Sequence, residues 1–113
     1  MITIRINGID FTVNIVDGDS EKLIVDGTAR CGSIWYEDAA IHILKTLPPR
    51  LMRQCIMHEL THAYICAYGF MRYAKFNNEQ LCDFMAAYAK PICYDADAVM
   101  KHYGMAEETS EAE

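Results

Sequence analysis

His58-Glu59-Leu60-Thr61-His62 lies inside the unbroken stretch RLMRQCIMHELTHAYICAYG, Arg50 to Gly69. Helix propensity is good from Arg50 to Tyr68, Pro49 suits a first turn, and Gly69 suits a C-terminal cap. On a helix, residues four apart share a face, so His58 and His62 can offer two imidazoles to one metal ion. Glu59 is about 100° round from His58 and about 60° from His62 at roughly 3.6 residues per turn. It flanks the ligand face, where a carboxylate can hydrogen-bond an activated water without ligating the metal. Two ligands, a base and an open coordination position are what a zinc hydrolase needs. Met52, Ile56, Leu60, Ala63 and Ala67 recur at helical spacing and read as the core-facing stripe of the same helix.

A third ligand is sought downstream. Asn77 reads as an N-cap with Gln80 three residues on, which puts Glu79 in the first turn of a second helix. Glu79 and Asp83 are four apart and share a face. One carboxylate can ligate zinc while the other accepts the free N–H of a ligating histidine. On this helix Leu81, Phe84, Met85 and Tyr88 are the candidates for burial. Pro91 is expected to stop or kink it near Lys90, leaving Ile92 to Tyr103 as a third helix before Gly104.

His-Glu-Leu-Thr-His followed by Asn78-Glu79 and Asp83 resembles the gluzincin zinc metallopeptidases, at a compact spacing. The small size is similar to minimal gluzincins and to the ImmA/IrrE-type domains of phages and mobile elements, and Asp83-Phe84-Met85-Ala86 is similar to a segment of the latter. The likeness covers about Leu47 to Ala89. The one departure is Asp83, where ImmA/IrrE domains usually carry Asn. The resemblance implies a zincin-like fold and one zinc per chain, held by His58, His62 and Glu79, with Asp83 supporting His58. It also implies that Glu59 is the catalytic base, taking a proton from zinc-activated water and passing it to the leaving amine of a peptide bond. An oxyanion donor is often Tyr or His in such enzymes, and His102, Tyr94 and Tyr88 are the downstream candidates.

Upstream, Ile2 to Ile6 and Ile9 to Val16 alternate apolar and polar around Asn7-Gly8, the signature of a hairpin. Asp17-Gly18-Asp19-Ser20 reads as a turn, and Leu23-Ile24-Val25 as either a short strand or a helical turn. Cys31 to Tyr36 and Ile41 to Leu44 form a second hairpin around residues 37–40. By the resemblance, either of its strands is a candidate edge for extended peptide substrate, with Trp35 and Tyr36 as candidates to line a cleft. Trp35 is assigned first to the core, and His42 is expected at the surface or half-buried. The loop from Gly69 to Asn77 is expected to wrap one end of the cleft.

The fold class expected is α+β, a small, twisted, mainly antiparallel sheet packed on the motif helix, the glutamate helix and a third C-terminal helix. Residues 1–104 make one domain and 105–113 an acidic, frayed tail. The 113 residues are 52% hydrophobic and 23% charged, ordinary for a globular protein, and the formal net charge of −6 argues against nucleic acid as a partner. No apolar run is long enough to span a membrane, and the start lacks a signal-peptide layout, so a cytoplasmic location is expected. Five cysteines without C-x-x-C spacing fit reduced thiols. Cys55, His58, His62 and Cys66 span too many turns for one tetrahedral ion, so the two thiols read as core. A protein or peptide substrate is implied. The rival readings are a catalytically silent or latent zinc-binding interaction module of the same fold, and a structural protein with no metal.

Overall fold

The computed structural model describes residues 1–72 and 75–105. β1 (Ile2–Ile6) and β2 (Ile9–Val16) form an antiparallel hairpin that pairs Ile2 with Val13 and Ile6 with Ile9. Its two-residue turn needs positive φ at both central positions, which Asn7 (48°) and Gly8 (82°) supply. The Asn7 side-chain amide also donates to the Ala67 carbonyl at 2.8 Å, so the hairpin tip caps a helix end.

The chain then crosses the outer face of the sheet. Residues 21–25 take both forms that their sequence allows, a 3-10 turn (Glu21–Leu23) followed by β3 (Ile24–Val25), which pairs with β4 (Thr28–Ala29). β5 (Gly32–Trp35) and β6 (Ala40–Leu44) make the expected second hairpin. The crossover lets β6 lie parallel to β2, giving the order β1-β2-β6-β5, with β5 at one edge.

α1 (Pro49–Ala67) carries the motif, and α2 (Asn78–His102) follows. Met52, Ile56, Leu60 and Ala63 of α1 are buried on the inner face of the sheet with Ile4, Ile6, Phe11, Val13, Ile41 and Ile43. Ala67 is half-buried. α2 begins with the expected capping box, Asn77 Oδ1 accepting from the Gln80 N–H at 2.8 Å and Gln80 Oε1 from the Asn77 N–H at 2.9 Å.

Two expectations need correction here. Pro91 lies inside one continuous helix, so Ile92 to Tyr103 is not a separate third helix. A proline removes one backbone donor, and the stripe of buried Phe84, half-buried Tyr88 and buried Ile92, Ala96 and Val99 carries the helix across that loss. That stripe begins only at Phe84, so Leu81 (48% exposed) and Met85 (50%) lie outside the core where burial was expected. The two helices are joined by a Tyr64 hydroxyl donating to Asp95, an Arg53–Asp97 pair at 2.9 Å, and stacked Tyr68 and Tyr88 with centroids 4.5 Å apart.

The outer face of the sheet holds a second small core. Ser33 Oγ and Trp35 Nε1 both donate to the Lys22 carbonyl, at 2.7 and 3.1 Å, and the Lys22 ammonium lies 4.2 Å from the Trp35 ring. This covers His42, which is buried rather than at the surface, edge-on to Trp35 at 6.1 Å. Among the described residues, His42 Nδ1 has no hydrogen-bond partner.

No helix among the described residues is long and apolar enough to cross a membrane. Of the acidic tail, only Met105 is described, its N–H bonded to the Met100 carbonyl at 2.8 Å. Residues 106–113, and residues 73–74 of the loop expected to wrap the cleft, lie outside the described residues.

Burial, followed by the Lys22 charge, pushes the His42 imidazole below its ordinary value, partly offset by Asp38. The unfolded chain therefore binds this proton more readily, and the stability held above the unfolded value of about 6.5 is lost as pH falls. In urea titrations, the stability advantage of the parent protein over His42→Gln should narrow steadily from pH 7 to pH 5. A gap independent of pH would show that His42 is not buried neutral.

Candidate functional site

Packing fixes the rotation of α1. With Leu60 turned into the core, Glu59 lies about 100° round from it, and His58 and His62 each about 160°. Glu59 therefore falls on the β5 side of the helix, and the histidine pair on its outer side. Their ring centroids are 5.0 Å apart at 74°. His58 is exposed and His62 half-buried. Burial and then the neighbouring His58 lower the His62 pKa, which favours the neutral imidazole that metal ligation requires.

Glu59 is buried at 6% exposure, and desolvation raises its pKa against the opposing pull of His58 and Arg30. Its carboxylate is tucked against the backbone of β5. A Cβ built on Gly32 would lie 2.6 Å from Cys55 Sγ and 3.2 Å from Glu59 Oε2, so only glycine allows the strand to approach α1 this closely. The pairing order makes β5, not β6, the edge of the two candidates.

A cleft of about 350 Å3 opens between the start of β5 and the first half of α1, with Gly32, Leu47, Leu51, His58 and Glu59 in its wall. The Cys55 thiol, also on this wall, is pushed up to about 12 by burial and then by Glu59 and Cys31, so it stays protonated. All five cysteines are free, and Cys55 and Cys66 are half-buried.

Of the two aromatic residues considered for the cleft, Trp35 belongs to the outer-face core. Tyr36 begins the 3-10 turn after β5 and feels both Cys66 and Glu59, which with burial, the larger cause, raise its pKa. It is 42% exposed. Tyr36 is thus a hydroxyl donor just past the end of the edge strand, absent from the oxyanion candidates drawn from the sequence. Those were sought after the motif, and a residue that follows the edge strand in sequence comes before it.

The other candidates stand elsewhere. Glu79 and Asp83 are exposed, and Glu79 is about 140° round α2 from buried Phe84. Tyr88 is half-buried in the aromatic cluster with Tyr64, Tyr68, Phe70 and Phe84. Tyr94 is 75% exposed, and exposed His102 packs edge-on against Tyr103 at 4.8 Å. The structure brings together His58, Glu59 and His62, without Glu79 or Asp83. Among the described residues, no three His, Cys, Asp or Glu side chains are grouped to hold a metal ion. Two imidazoles one turn apart fit two positions of a zinc ion, and the third is not assembled around them.

Comparison with known proteins finds no matching family model, no matching curated protein and no matching solved structure.

Gly32→Ala should cost about 1–3 kcal/mol by overpacking against Cys55 and Glu59, measured by chemical denaturation. Gly8→Ala, where an added Cβ meets nothing within 4 Å, separates the two penalties, since its cost would come only from positive φ. If the helix and strand part without cost at Gly32, the close approach does not hold the site.

Proposed function

We propose that this chain is a zinc-dependent peptide hydrolase of gluzincin type, with a zincin-like fold, acting in the cytoplasm. The observation that carries the reading is the placement of the motif. His58 and His62 lie one helical turn apart beside a buried Glu59, and His58 and Glu59 line a cleft next to the edge strand β5. The free cysteines agree with a reducing compartment.

His58 and His62 would hold the ion, with Glu79 supplied from α2 when zinc binds. No residue from Asn78 to Asp83 is buried, so Glu79 is open to solvent and to an ion. The chemistry gained on binding zinc is a lowered pKa for water and a polarised peptide carbonyl. The rest falls to the chain. Glu59, dry on its β5 side, accepts the proton of the attacking water and returns it to the leaving amine. Gly32 and its neighbours present edge backbone groups that can pair with an extended peptide. Tyr36 supports the oxyanion with its hydroxyl.

A second reading is a zinc-binding module of the same fold that cleaves nothing. One observation favours it, the position of Glu79 on the exposed face of α2, outside the histidine pair.

Elemental analysis of the purified protein should find about one zinc per chain. It should be lost in His62→Ala and greatly weakened in Glu79→Gln. Protein that neither carries nor takes up zinc would end the hydrolase reading, and unchanged affinity in Glu79→Gln would place the third ligand elsewhere. With zinc bound, peptide hydrolysis should fall by about 10²–10⁴-fold in Glu59→Gln. Equal cleavage by that variant would remove Glu59 as base, and absence of cleavage in the parent would favour the silent module.

A further inference from the structure

The cleft beside Glu59 has a chemical character of its own. Leu47 and Leu51 give it an apolar wall, and Leu51 is 49% exposed, open to a ligand in the cleft. Arg30 also lines it, from the β4–β5 link, its backbone held by an N–H bond to the Leu23 carbonyl at 2.9 Å. Its guanidinium makes no hydrogen bond or ion pair among the described residues, and it acts on Glu59 only through space. In a chain of net charge −6, a cleft-lining guanidinium without an ion pair among the described residues is a local exception to the overall field.

We propose that this cleft binds a substrate residue with a large apolar side chain close to a carboxylate, the side chain against Leu47 and Leu51 and the carboxylate on Arg30. This rests on the peptide-hydrolase reading for its catalytic meaning, that peptides with such a residue beside the scissile bond are preferred. The binding itself does not require zinc. Three features support it. An arginine fork pairs with a carboxylate through two parallel N–H donors, a geometry suited to reading a planar anion at a fixed place. The cleft is near the lower end of ligand-site volumes, roughly 300–1,000 Å3, so it accommodates one or two residues rather than a long segment. Gly32, also in the cleft wall, lies on the edge strand β5, whose backbone is a partner for the ligand main chain. The carboxylate comes either from a peptide C-terminus or from a neighbouring acidic side chain, and the two share the same contact with Arg30.

The test is a two-dimensional amide NMR titration of the full chain, with and without added zinc, using three probes. These are N-acetyl-leucyl-leucine, its C-terminal amide, and the amide of N-acetyl-leucyl-aspartic acid. The free acid should shift the Gly32 and Leu51 amides and bind about tenfold more tightly than its amide, the range expected for a charged hydrogen bond. Arg30→Gln, at an exposed position, should erase that preference and keep the native spectrum. The aspartyl probe decides the source of the carboxylate. Binding like that of the free acid admits acidic side chains, and binding like that of the leucyl amide restricts the site to C-termini.

Equal binding of acid and amide, a preference unchanged in Arg30→Gln, or shifts confined to other surfaces would overturn the proposal. Carboxylate-dependent binding in a protein that takes up no zinc would uphold the cleft and overturn the hydrolase. Zinc uptake with cleavage indifferent to the carboxylate would do the reverse.

Discussion

Burial of one helical stripe governs both the fold and the site. Met52, Ile56, Leu60 and Ala63 are at most 1% exposed, packed against Val13, Ile41 and Ile43, which are fully buried. Each such large side chain contributes about 1.5–3 kcal/mol when taken out of water, so turning α1 by even one position would forfeit much of the core. Everything else on that helix is then placed by its angle from the stripe. Glu59 goes to the β5 side and loses water, while His58 and His62 stay together on the outer side. The difference between a buried carboxylate, a half-buried His62 and an exposed His58 arises from the angle each makes with that stripe.

The close approach of β5 is the second constraint, and it depends on the first. With α1 held on β6, the edge strand reaches the Glu59 side of the helix, and the absence of a side chain at Gly32 lets it lie against Cys55 and the carboxylate. β5 is held from its other face as well. Ser33 and Trp35 share the Lys22 carbonyl, and Trp35 closes over His42. The same four-residue strand thus presses glycine on the site and aromatic surface on the outer core. Alternation of side chains across the sheet divides these two duties among successive residues.

α2 shows where local signals mislead. Its capping box was plain at Asn77 and Gln80, because both partners lie within one turn of chain. Pro91 pointed to a break that does not occur, since the cost of one missing donor is spread against a stripe running from Phe84 to Val99. Glu79 and Asp83 were correctly paired on one face, and the contacts of Phe84 with Phe70 and Phe76 turn that face to solvent. A helical wheel shows which residues travel together and is silent on the direction they face.

The first hairpin, its Asn7-Gly8 turn, the second hairpin, the core stripe of α1 and the one-turn spacing of His58 and His62 could all be read from residue order. Each depends on interactions within a few positions of chain, where periodicity and turn chemistry act directly. The parallel pairing of β2 with β6, the edge position of β5, the burial of His42, the close approach of Gly32 to Glu59, and the exposure of Glu79 were decided by tertiary structure. Those features join residues far apart in the chain, and the choice among them was made by which apolar faces could be buried at once.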